Sequence, residues 1–211
     1  MHYLYIIVSR TNTKMGWCIR RALNEPYNHV SVALDKELSY MYSFARRRYY
    51  TPFVGGMVRE SINILTHNKN NKTLVKIYQL EVSKEDYTNV AELINNMYQL
   101  RGTYYYNYTG ALKLLIKHSS NNKKAYTCLE FAVEMLKNVG LTVSHEEIKT
   151  MTPKKLMKLL HETLIYEGDL LDYPYLSSAA IEEEDSYFKK INPLANMRET
   201  LTYMKSIYFS N

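Results

Sequence analysis

Cysteine is nearly absent from this chain. Cys18 and Cys128 are the only two among 211 residues, and they form no CxxC pair. A disulfide framework is therefore excluded, and free thiols in a reducing compartment are expected. Metal-ligand spacing is also missing, since His, Cys, Asp and Glu form no cluster that would hold an ion. No glycine-rich phosphate loop occurs, so neither a metal nor another cofactor is expected. Long apolar runs are lacking too. The start, Met1–Val8, is apolar for only about six residues, too short for a membrane helix and without the charged beginning of a signal peptide. A buried first strand and a cytoplasmic location are the expectations. No internal repeat or low-complexity block interrupts the chain.

What is present is an ordinary globular balance, with 46% hydrophobic and 23% charged residues. Such a length buries a full core without staples. It suits one domain over residues 1–175 and a helical appendage or tail over 176–211, which packs on the core or reaches a partner. The net charge of +6 is spread along the chain. Its sharpest cluster, Arg46-Arg47-Arg48 before Tyr49-Tyr50, could hold phosphates and stacked bases, but such a triplet at a strand end is more often a solvated loop, so no clear nucleic-acid partner follows.

Periodicity predicts strands at Leu4–Val8, His29–Leu34, Leu38–Phe44, Leu74–Val82 and Leu164–Glu167. The second and third are joined by Asp35-Lys36-Glu37 as an antiparallel hairpin. Helices are expected at Met15–Leu23, from Ser83 to about Leu100, from Gly110 to about His118, from Thr127 to Gly140, from Thr152 to His161, and over Arg198–Tyr208. Gly55-Gly56 marks either a close backbone approach or a flexible turn.

The most informative stretch is Thr127-Cys128-Leu129-Glu130. Thr-x-x-Glu ahead of an apolar run is a capping box, which makes Cys128 the first residue of a helix. Free amides and the positive end of the helix dipole favour an anion there, and hence a reactive thiolate. A nucleophilic cysteine needs a base, usually an imidazole. Among the six histidines, only His29 begins a strand whose same-face neighbours, Ser31 and Ala33, are small enough to leave room before the ring. Histidine then precedes cysteine, the reverse of the papain order and the order a circular permutation would give.

The segments Tyr27–Asp35, Met41–Arg46, Gly55–Glu60 and Tyr126–Phe131 resemble the circularly permuted papain-like hydrolases. That NlpC-related group includes YiiX-like proteins and, more remotely, lecithin retinol acyltransferase. The likeness spans roughly residues 3–175. It implies an α+β, NlpC-type fold with an antiparallel sheet packed against helices and the nucleophile at a helix N-terminus. It further implies Cys128 as nucleophile, His29 as general base, and a polar residue on the strand after His29 that orients the ring. Counting along the hairpin, that third position falls at Ser43, where relatives often carry glutamate or histidine; Asp35 and Glu60 are the alternatives. The Cys128 N–H is the natural oxyanion donor. The implied activity is thiol-based hydrolysis of a peptide, amide or lipid-ester bond. Acyl transfer through the same thioester, or a binding module without turnover, are the rivals.

Overall fold

The computed structural model describes residues 1–51, 53–108, 124–144, 147, 148, 150–176 and 183–208. The strands are β1 (His2–Ser9), β2 (His29–Ala33), β3 (Met41–Arg46), β4 (Gly55–Glu60), β5 (Leu74–Val82), β6 (Tyr105–Tyr106), β7 (Ala125–Tyr126) and β8 (Leu164–Asp169). Six of them form one sheet in the order β4-β3-β2-β1-β5-β8, with every neighbouring pair antiparallel. The short β6 and β7 pair parallel to one another. The helices are α1 (Lys14–Leu23), α2 (Ile62–Thr66), α3 (Lys84–Gln99), α4 (Cys128–Lys137), α5 (Pro153–Leu159), α6 (Glu183–Phe188) and α7 (Pro193–Tyr208). The class is α+β, built on a six-stranded antiparallel sheet.

The sheet is buried on both faces at its centre, which explains why β1 is a continuous apolar run rather than an alternating one. Leu4, Ile6 and Val8 join Val30, Val32 and Phe44 in a core completed by Val90 and Ile94 of α3 and by Phe131, Ala132 and Met135 of α4. Tyr5 and Ile7 turn the other way, towards Ala33, Met41, Val75, Ile77 and the Ile62 and Leu65 side chains of α2. That division follows the two-residue repeat of a strand.

Local signals place most boundaries. Ser83 accepts from the Asp86 N–H to start α3, and Thr152 accepts from the Lys155 N–H with Pro153 in the first turn of α5. The third strand departs from expectation. It begins at Met41 rather than Leu38, because Leu38 takes a left-handed conformation (φ 57°) inside a longer turn. The Asp35 carboxylate holds that turn, accepting from the Ser39 and Tyr40 N–H groups at 2.9 Å each. The final helix starts at Pro193, five residues before Arg198. The helix expected from Gly110, and most of the polar loop after it, lie outside the described residues.

The tail packs on the core. The Tyr49 N–H donates to the Tyr187 carbonyl (2.9 Å), Asn63 donates to Glu184 (2.9 Å), and Arg48 pairs with Glu199 (2.6 Å). Tyr203 of α7 is buried, and its hydroxyl accepts from the Tyr106 N–H at 3.0 Å. Among the described residues, no helix is long and apolar enough to cross a membrane.

Candidate active site

The capping box at Thr127 is formed in both directions. The Glu130 N–H donates to Thr127 Oγ1 (3.1 Å), and the Thr127 N–H donates to Glu130 Oε2 (2.7 Å). Cys128 is thereby the first residue of α4, and it is buried. Phe131, Ala132, Met135 and Leu136, all fully buried, fasten α4 onto the sheet, where it packs against β2 and β3.

His29 opens β2 and is buried. Its Nε2 donates to Glu60 at the end of β4, 2.9 Å from Oε1 and 3.1 Å from Oε2. The Ser31 hydroxyl donates to the same carboxylate at 2.5 Å. Cys128 lies close enough to the imidazole to favour its charged form. With Nε2 given to Glu60, Nδ1 is the nitrogen left for the sulfur.

The electrostatics reinforce this arrangement. Burial opposes a charge on His29, yet the Glu60 charge, the Cys128 sulfur and hydrogen bonds to both outweigh it and hold the ring well above its ordinary value. Burial likewise opposes a charge on Glu60. There the imidazole, through charge and hydrogen bonding, and the Ser31 and Ser43 hydroxyls prevail and keep the carboxyl below its ordinary value. The pair is a buried imidazolium–carboxylate.

Ser43 was expected to orient the ring; the structure seats Glu60 there instead. In the β3–β4 register Ser43 lies opposite Val58 while Glu60 lies opposite Met41, and it is the longer carboxylate that reaches His29. Ser43 is fully buried beside this carboxylate and helps keep it ionised, without a well-aligned hydrogen bond of its own. Asp35, the other alternative, is committed to the hairpin turn. Tyr126 packs rather than reaching the site, its ring centroid 5.1 Å from Phe44. Gly55 and Gly56 are close approaches and not a flexible turn. A Cβ on Gly55 would sit 2.7 Å from the Tyr106 Cβ, and one on Gly56 would collide with the Tyr104 carbonyl.

His29 and Glu60 line a cavity of about 100 Å³ with Phe44, Arg46, Tyr106 and Tyr187. Tyr106 was not singled out from the sequence. Burial, then the nearby charges led by Cys128, pushes its hydroxyl well above the ordinary tyrosine value, so it stays a protonated donor. The only sequence signal for it was the run Tyr104-Tyr105-Tyr106, which does not say which ring faces inward.

Of the other described histidines, His67 lines the same cavity, stacked on Tyr49, whereas His2 lies against Tyr87 and His161 is exposed beside Glu162. His118 and His145 lie outside the described residues. Among the described residues, no group of three or more His, Cys, Asp or Glu side chains is placed to hold a metal ion. The sequence matches no protein-family model and no curated protein.

Proposed function

We propose that the chain is a thiol hydrolase of the permuted papain-like, NlpC-type kind, cleaving an amide or ester bond through an acyl-enzyme on Cys128. The observation that carries this reading is the single imidazole bound by Glu60 on one nitrogen and lying near enough to Cys128 to feel its sulfur, which sits at a capped helix start. His29 already holds the Cys128 proton, and the sulfur attacks the substrate carbonyl as a thiolate. The developing oxyanion is met by the Cys128 N–H at the positive end of α4. Collapse breaks the C–N or C–O bond, and His29 returns the proton to the departing amine or alcohol. His29 then deprotonates a water that hydrolyses the thioester, which restores the thiolate and the protonated ring. Glu60 holds the ring in place and stabilises its charged form, the part a carboxylate plays in nucleophile–histidine–acid triads. An amine or alcohol in place of that water would make the same enzyme an acyltransferase.

The test is a broad activity-based probe for reactive thiols, applied to the whole chain and to its Cys128→Ala and His29→Ala variants. Labelling is expected in the parent only. If iodoacetamide modifies Cys128 no faster at pH 6.5 than it modifies the exposed Cys18, the reading is wrong.

A further inference from the structure

Beside the cavity of His29 lies a larger one of about 470 Å³, a volume typical of small-molecule sites. The two share Ala45, Arg46, Glu60, Ile64 and Tyr187 as a common wall. Five arginines line the larger cavity: Arg46, Arg47, Arg48, Arg59 and Arg101. Its one lining carboxylate among the described residues, Glu60, is already engaged by His29. Among the described residues, only Arg48 has a carboxylate partner, Glu199.

Three of these side chains are tied to main-chain carbonyls, Arg101 from an exposed position. Arg47 donates to the Arg101 and Tyr104 carbonyls (2.6 and 2.9 Å), Arg59 to the Ser39 carbonyl (3.1 Å), and Arg101 to the Tyr98 carbonyl (3.1 Å). Aromatic rings support three of them, with Arg46 over Tyr49, Arg59 over Tyr40 and Arg101 over Tyr98. Each such contact consumes one or two of a guanidinium's five donors. The Nε atoms of Arg47 and Arg59 are buried without a hydrogen-bond partner among the described residues.

Several guanidinium groups around one cavity ask for more than one negative charge and for several acceptor oxygens. A phosphate ester supplies both, and guanidinium forks match its geometry. We propose that this cavity is an anion subsite, taking the phosphate-bearing group of the molecule whose carbonyl Cys128 attacks. The subsite rests on the hydrolase reading above and adds a substrate class to it, an acyl compound carrying a phosphate. That phosphate belongs either to a soluble ester or to a lipid headgroup.

Binding is measured on the whole chain and on its Cys128→Ser variant, so that no turnover is needed. The soluble arm titrates inorganic phosphate and glycerol 3-phosphate by calorimetry, with glycerol as the neutral control. The lipid arm is flotation with phosphatidylglycerol vesicles, with and without competing glycerol 3-phosphate. Saturable binding is expected in at least one arm, weakened about tenfold or more in Arg59→Gln and Arg101→Gln. Lys158→Gln, which removes the same charge from an exposed helix position, is expected to bind as the parent does. Soluble binding alone identifies a soluble ester; vesicle binding that glycerol 3-phosphate does not displace identifies a headgroup. Melting curves establish that each variant is folded.

The proposal is overturned by no saturable binding in either arm. Equal weakening in Lys158→Gln overturns it too, since net charge would then suffice. So does displacement by a single-stranded oligonucleotide but not by phosphate esters. An unreactive Cys128 would sink the hydrolase reading and leave phosphate binding standing, whereas absent binding would leave the thiol chemistry untouched.

Discussion

Replacing Glu60 by glutamine removes a charge at the centre of the site with little change of shape. The carboxylate accepts from His29 at 2.9 and 3.1 Å and from Ser31 at 2.5 Å, all buried. A hydrogen bond to a charged partner contributes about 1.5–3 kcal/mol, and a neutral one about 0.5–1.5 kcal/mol. Glutamine keeps a hydrogen bond to the ring without the opposite charge, so the imidazolium loses about 1–1.5 kcal/mol of support, close to tenfold. Alanine loses the whole bond, about 10- to 150-fold. Since Glu60 favours transfer of the Cys128 proton onto His29, these factors are upper limits on the fall in alkylation rate. The assay is iodoacetamide modification at pH 6.5, followed by mass spectrometry in a Cys18→Ser background that leaves one thiol. Glu60→Gln is expected to slow the reaction by up to tenfold and Glu60→Ala by more. Ser43→Ala, which removes only a poorly aligned hydroxyl, is expected to stay within about threefold of the parent. A folded Glu60→Ala protein that reacts at the parental rate would refute the coupling of carboxylate, ring and sulfur.

The same pair makes stability depend on pH. His29 is raised above 6.5, so its contribution is complete below that value and fades as pH climbs through the raised one. Glu60 is lowered beneath 4.5, so its contribution is complete above that value and fades as pH drops through the lowered one. The melting-temperature gap between the parent and the double variant His29→Gln/Glu60→Gln should peak between about pH 4.5 and 6.5. A gap that is flat from acid to alkali would show that no ion pair forms. Gly56→Ala drives a methyl into the Tyr104 carbonyl and to 2.8 Å from the Arg47 guanidinium. It should lower stability by about 1–3 kcal/mol in urea titration, and a neutral result would contradict the close approach. Tyr203→Phe deprives the Tyr106 N–H of its buried acceptor. It should cost about 1–3 kcal/mol, with an unchanged melting temperature arguing against the docking of α7.

The features legible in the sequence are those in which a residue and its partner lie within one turn of one another. Thr127 and Glu130 are three apart, and their reciprocal bonds require nothing from the rest of the chain. Thr152-Pro153 and Ser83-Asp86 are similar. Strand β1 declared itself by its apolar run, and the pairing of β2 with β3 by the turn between them. Counting along that hairpin, with a strand running from Leu38, points to Ser43. Leu38 instead turns left-handed, and the orienting group comes from the next strand. No local pattern reports a contact between residues 29 and 60, because it depends on how β4 registers against β3.

The arginines show the same division. Arg46-Arg47-Arg48 is conspicuous as a triplet, yet its members go separate ways: Arg46 to the wall between two cavities, Arg47 to the 101–104 carbonyls, Arg48 to Glu199. Arg59 and Arg101, which share their cavity, lie far off along the chain.

Sequence alone determined the α+β alternation of elements, the helix that begins at Cys128, and a histidine with open space before it. Tertiary structure decided that Glu60 holds that histidine and that five guanidinium groups surround one cavity. Capping and periodicity are settled by energies between near neighbours. Which distant side chains share a buried site depends on strand order and register, set by the packing of the whole core.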